Sequence, residues 1–173
     1  DYIFLMFFLG NDFLPHFPAL DIRGDGMDTL IKGYNYCNEN NALFSLIRHD
    51  TINWNHLFIL LNHLSQDERS NIIDHQDKKQ SFKRYSNTSK ETELQNKYLN
   101  IPSQLRNTEF CIDAKKDCWE KRYYSLLLGI EKDSSNFFIN KLCDSFYKTL
   151  HWTYKYYTSG CIDWTWTFDY SYP

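Results

Sequence analysis

Tyr2-Ile3-Phe4-Leu5-Met6-Phe7-Phe8-Leu9 runs straight into Gly10-Asn11-Asp12-Phe13-Leu14-Pro15-His16-Phe17-Pro18, and the reading of this stretch sets the frame for the rest of the chain. Eight consecutive apolar residues are apolar on every side, as a buried helix requires, and a buried strand is the competing reading of so short a run. Asp1 is placed to cap such a helix through its side-chain oxygen, and Gly10 suits the left-handed position that ends one. We therefore expect a helix over 2–9. Pro15 and Pro18 then force an extended turn, which puts Asp12 on a loop. An ionised carboxylate at the mouth of an apolar element has to be solvated, paired or bound to a cation, so metal ligation enters as one reading of Asp12.

Further along, Asp28 is placed to cap a second helix through Thr29, Leu30, Ile31 and Tyr34, which Asn38-Glu39-Asn40-Asn41 ends. Asn53 opens a clearer one, with Trp54, Leu57, Phe58, Leu61 and Leu64 at helical spacing and Ile52 as a staple; that face is expected to be core. From Ser65 to about residue 100 the composition turns polar, and we expect a helical edge followed by a mobile loop. Residues 116–130 read as a helix with Trp119, Tyr123, Leu126, Leu127 and Ile130 on one side, ending near Gly129. Ser134 or Ser135 caps the longest candidate, on which Phe138, Leu142, Phe146, Leu150, Tyr154 and Tyr157 step by three or four until Gly160. No tandem repeat and no long strict alternation follow Gly10, so the chain is expected to be mostly α.

At 173 residues the chain fits one ordinary domain, and its 13 Phe, 13 Tyr and 5 Trp supply large rings for a core or for stacking. A formal net charge of −3 argues against a general polyanion binder, so any nucleic-acid contact must be local. Five cysteines, Cys37, Cys111, Cys118, Cys143 and Cys161, show no CxxC spacing, and an odd count leaves one unpaired in any disulfide scheme. Reduced thiols in an intracellular protein, in the cytoplasm ahead of the nucleus, are the expectation. The opening apolar run is too short to cross a bilayer and lacks the flanks of a secretion signal, so no membrane role is expected. The chain starts at Asp1 without Met and stops after an aromatic cluster, and it reads as a fragment.

Three stretches resemble the Xrn/Rat family of 5′→3′ exoribonucleases. Residues 1–18, followed by Leu20-Asp21-Ile22-Arg23 and Met27-Asp28-Thr29-Leu30, look like the last motif of that family's catalytic core. His151-Trp152-Thr153-Tyr154-Lys155-Tyr156-Tyr157, Gly160, Asp163-Trp164-Thr165-Trp166 and Tyr170-Ser171-Tyr172-Pro173 are similar to the aromatic block of its helical region. Lys121-Arg122-Tyr123-Tyr124 ahead of Leu127-Leu128-Gly129-Ile130 looks like its basic-plus-tyrosine helix. The resemblance implies the C-terminal edge of a PIN/flap-nuclease-like α/β catalytic core over 1–35 and a helical domain over 36–173. The polar, partly mobile insertion over 65–112 lies inside the latter, where related enzymes also carry a charged insertion.

The resemblance makes Asp12 a catalytic residue and a metal ligand, completing an acidic cluster for Mg²⁺, with Mn²⁺ as the other candidate ion. Cleavage of a phosphodiester commonly uses two ions about 3.5–4 Å apart, and hard, small Mg²⁺ takes carboxylate ligands. The plainer reading of Asp12 is an Asx turn after glycine. The family's other acids and its pocket for a 5′-monophosphate would precede Asp1, so this piece alone is expected to be inactive. Trp164 and Trp166 are the substrate-binding candidates: two apart in an extended segment, both rings point to one side, where each could stack on an unpaired base for about 1–3 kcal/mol. Filling a joint between core and helical region is the equal alternative, and Asp163, Thr167 and Phe168 depart from the family's pattern. His16 reads as a packed neutral histidine, and His49, His56 and His63 as solvated or half-buried rather than zinc ligands. Lys115, Lys116, Lys121 and Arg122 read as a solvated face over an aromatic core ahead of a phosphate contact.

The function implied for the parent is Mg²⁺-dependent, processive hydrolysis of 5′-monophosphorylated single-stranded RNA to mononucleotides. A helical RNA- or protein-interaction module on the same scaffold, without catalysis, is the first rival. A flap-type DNA nuclease is the second, disfavoured by the Trp-Thr-Trp tail.

Overall fold

The computed structural model describes residues 1–22, 24–86, 111–129 and 135–173. The described chain is mostly helical, in agreement with the fold class read from the sequence. It divides into two compact units, one of Asp1–Glu68 with Ser134–Pro173 and one of Arg69–Asp133.

The first unit opens on α1 (Tyr2–Met6), which tightens into a 3₁₀ turn over Phe7–Leu9. Gly10 ends it at φ 89°, ψ 150°, so the exit is extended rather than the left-handed cap expected. The cap at the other end also differs. Asp1 accepts from Leu5 N through its backbone carbonyl (2.9 Å), while its carboxylate reaches across the unit to Tyr34 Oη (2.6 Å), Leu46 N (3.1 Å) and Ile47 N (2.9 Å). These donors, with Ser45 Oγ at 3.4 Å as a fourth, draw the carboxylate from the cap position because the fold preplaces them.

Helix α2 (Gly26–Asn40) starts two residues before Asp28, with Thr29 donating through both N and Oγ1 to Asp25 O (2.9 Å each). Strands β1 (Ile47–Arg48) and β2 (Thr51–Ile52) form an antiparallel hairpin that the sequence reading did not foresee. Two residues per strand are too few to show alternation. Helix α3 (Trp54–Gln66) is capped as expected by Asn53, whose Oδ1 accepts from His56 N (3.3 Å), and Ile52 is buried beside it. Its expected core face is only partly realised: Leu57 is buried, Leu61 and Leu64 pack partly buried on the core, and Leu60, off the expected stripe, is buried as well, but Trp54 and Phe58 are exposed. They line a shallow cleft of about 320 Å³ with Leu57, Leu61 and Tyr147.

Helix α4 (Glu68–Ser86) belongs mainly to the second unit, and the mobile loop expected beyond it lies outside the described residues. Here α5 begins at Trp119 and runs to Leu128, because Arg122 holds residues 112–117 in a turn. Its Nε donates to Ile112 O (2.6 Å), Nη1 to Asp117 O (2.6 Å), and Nη2 to Asp113 O (2.8 Å) and Lys116 O (3.0 Å). Trp119 and Tyr123 are buried as expected, while Leu126 is exposed, and Ile130 is outside the described residues.

Helix α6 (Ser135–Ser159) is the spine of the first unit and ends at Gly160, φ 95°. Phe146, Leu150 and Tyr154 join the core with Phe4, Phe8, Leu30, Leu46 and Leu57. Edge contacts such as Phe4 to Tyr154 (5.9 Å between ring centroids) tie the start of the chain to this helix.

Candidate functional site

The loop after the 3₁₀ turn is built by Asn11. Its Oδ1 accepts from Phe13 N (2.8 Å) and Leu14 N (2.9 Å), and its own N donates to Leu14 O (2.9 Å), closing an Asx turn with Asp12 at the tip. Phe17 N donates back to Phe8 O (3.0 Å), so the loop returns against the element it left. Gly10 is required here: at φ 89° a Cβ would come within 3.0 Å of His16 N.

Asx geometry was the plainer reading of this loop, and it belongs to Asn11 rather than Asp12. That leaves the Asp12 carboxylate exposed, with no hydrogen bond or ion pair to any described residue. On the preceding residue, Asn11 Nδ2 is buried without a hydrogen-bond partner. Among the described residues no three His, Cys, Asp or Glu side chains converge into a metal site. A solvent-facing, unpaired carboxylate on a braced turn fits one ligand of a hard cation, and the rest of such a site would have to come from other polypeptide.

The bracing comes from aromatic rings on α6. Phe13 sets its edge against Trp152 and Tyr156, 4.9 Å from each, and those two rings stack at 5.3 Å. Phe17 packs on Phe146 (5.2 Å) and Phe8 (5.1 Å), and Leu14 is buried. His16 donates from Nδ1 to Phe17 O (2.7 Å), a packing role as expected.

In the tail, the spacing that predicted two rings on one side is broken by a turn. Asp163 Oδ1 accepts from Thr165 N (2.8 Å) and Thr165 Oγ1 (2.7 Å), and these two bonds hold the carboxyl below the usual carboxylate range. Trp164 is therefore left 86% exposed, whereas Trp166 is half-buried and donates from Nε1 to Thr149 Oγ1 (3.0 Å). The backbone carbonyl of Asp163 accepts from Trp152 Nε1 (2.9 Å). A cavity of about 530 Å³ adjoins this tail, lined by Trp54, Tyr147, His151, Trp152 and Trp166 among others.

The remaining candidates have local duties. His49 is exposed at the hairpin tip, His56 stacks on Phe44 (4.9 Å) and His63 on Tyr36 (4.3 Å). Lys115 pairs with Asp77 (2.7 Å), Lys116 with Asp113 (2.8 Å), and Arg122 is consumed by carbonyls. All five cysteines are free thiols. Sequence reasoning passed over Asn11, Phe13, Trp152 and Thr149. The signal for Asn11 was an Asx residue followed by a turn; Trp152 lies off the stripe of α6 that marks the core, which hid it.

Residues 1–111 and 63–173 each match the family model described as the Xrn1 helical domain. A 5′-3′ exoribonuclease 2 homolog of Drosophila melanogaster is 23% identical over an alignment covering 99% of this chain and 23% of that protein. Over 31 residues, 18% of the chain and 3% of the relative, the 5′-3′ exoribonuclease 2 of Emericella nidulans is 71% identical. The Caenorhabditis elegans homolog is 62% identical over 34 residues, 20% of the chain and 4% of the relative. The chain thus spans under a quarter of the length of these curated relatives.

Proposed function

The chain belongs to the Xrn family, and on that premise we propose that it supplies the acidic loop and helical brace of a 5′→3′ exoribonuclease. The substrate is single-stranded RNA with a 5′-monophosphate, degraded processively to mononucleotides. The observation that carries this reading is the Asp12 carboxylate, exposed and unpaired on a turn whose geometry Asn11, Phe13 and Phe17 fix. Asp12 holds Mg²⁺ as one ligand among several, the others belonging to a part of the full-length protein outside this chain. When bound, such an ion polarises the phosphate and activates the attacking water.

Trp164 is the ring that stacks on an unpaired base, supported by its exposure, and Trp166 is a brace, supported by its bond to Thr149. Stacking is sequence-tolerant because every base has a π-face, which suits an enzyme that must pass every nucleotide. Free thiols support a reducing, intracellular setting.

The test is Asp12→Ala in the full-length protein, assayed with Mg²⁺ on 5′-phosphorylated and 5′-hydroxyl single-stranded RNA. Degradation of the 5′-phosphorylated RNA is expected to be lost while binding remains. Undiminished degradation overturns the assignment, and a full-length wild type that binds RNA without degrading it turns the reading toward a non-catalytic module.

A further inference from the structure

We propose that Trp152 is a positioning residue that fixes the acidic loop and the exposed tryptophan of the tail relative to each other. The inference rests on the reading of Asp12 and Trp164 given above and adds what sets their relation. One indole touches the immediate neighbour of each. On one side its ring meets Phe13, the residue after Asp12, at 4.9 Å and 70°, with Tyr156 stacked on it at 5.3 Å and 14°. On the other, its Nε1–H donates to the carbonyl of Asp163, the residue before Trp164, at 2.9 Å.

The ring is well placed to hold both. It is 8% exposed, so its rotamer is set by packing, and its hydrogen bond is part-buried. It is carried about two turns before the end of the 25-residue α6, a rigid support. Three residues earlier on the same helix Thr149 accepts from Trp166, so the tail is tied to α6 on both sides of the Trp164 turn. An indole combines a broad apolar face with a donor-only N–H at its rim; phenylalanine keeps the first and loses the second. A site that cleaves an end while stacking on a base must hold the two functions in register, since small misplacements of reacting groups cost much of the rate.

The two halves of this coupling are separable by mutation in the full-length protein. Trp152→Phe keeps the packing on Phe13 and removes the bond to Asp163; Phe13→Leu loosens the loop and leaves the indole and its bond in place. For Trp152→Phe, binding of 5′-phosphorylated single-stranded RNA, read by fluorescence anisotropy in EDTA, is expected to weaken about fivefold, the worth of one net hydrogen bond. KM should rise by the same factor while kcat and the Mg²⁺ concentration for half-maximal degradation stay near wild type. For Phe13→Leu, the Mg²⁺ requirement should rise severalfold and kcat fall, with RNA binding in EDTA unmoved. Adding Phe13→Leu to Trp152→Leu should raise the Mg²⁺ requirement no further than Trp152→Leu alone.

Wild-type RNA binding by Trp152→Phe, an unmoved Mg²⁺ requirement in Phe13→Leu, or strictly additive effects in the double variant would each overturn the coupling. An indole that merely fills the core would shift all parameters together with Tm, which also overturns it. Asp12→Ala separates this from the underlying reading: full activity there removes the metal loop itself, whereas the anisotropy arm contains no metal and judges the tail contact alone.

Discussion

Arg122 binds four carbonyls with one guanidinium, at 2.6 to 3.0 Å, and so supplements the Lys116 N to Asp113 O bond (3.0 Å) within the turn over 112–117. Lysine cannot reproduce a fork that reaches several carbonyls at once. We expect Arg122→Lys to lower local stability by about 2–3 kcal/mol, since hydrogen bonds to charged groups are the stronger kind, seen as faster amide exchange over 111–118. Next to it, the Asp113 carboxyl is held below the usual carboxylate range, chiefly by its hydrogen bond from Lys116. A depressed value means the bond contributes above the unfolded pKa and is lost as pH falls through the folded one. Lys116→Ala should therefore move the Asp113 titration back up, measured by NMR on its side-chain carboxyl carbon. Residue roles were unevenly legible. Gly10, Pro15 and Pro18 announced that Asp12 sits on a loop, because their backbone limits act locally. That the bonds of the loop belong to Asn11, and that Asp1 reaches Tyr34 and Ile47, depends on contacts the sequence does not order.

Elements whose signals are local came through best. Asn53 caps α3, Gly160 closes α6 and Gly129 ends α5 in the left-handed region, each by a property of the residue itself. The hairpin was missed for a physical reason. Its two-residue turn places His49 at φ 49° and Asp50 at φ 56°, where Asn-Gly is the usual signal, and β-branched alternation is absent from strands this short. A histidine in the left-handed region carries a steric cost, and Lys155 Nζ, donating to Asp50 O at 3.1 Å, helps hold the tip against α6. Replacing His49-Asp50 by Asn-Gly should stabilise the first unit by about 0.5–1 kcal/mol, observed as a higher unfolding midpoint in urea. A lower midpoint would mean the two side chains do more than the backbone geometry reveals.

At the scale of the whole chain, the organising fact is that α6 carries both the packing and the site. Phe146, Leu150 and Tyr154 face the core, while Thr149, Trp152 and Tyr156, on neighbouring positions of the same helix, hold the tail and the acidic loop. Binary pattern could predict the first set, because it repeats at helical spacing; the second is defined by ring contacts to Phe13, far away in sequence, and by hydrogen bonds to the tail, none of which follows a helical period. Stability and site geometry are then not independent. Leu150 is fully buried, and Leu150→Ala should cost about 2–5 kcal/mol through lost transfer energy and the cavity left behind. Because Phe4 and Phe17 rest on the same helix, that loss should also open the loop, so the Phe17 amide, bonded to Phe8 O, exchanges faster in hydrogen-exchange measurements. Phe137→Ala, at a ring 71% exposed on the same helix, should stay within about 0.5 kcal/mol and leave that amide protected. If both variants, or neither, released the Phe17 amide, α6 would not be the support of the acidic loop.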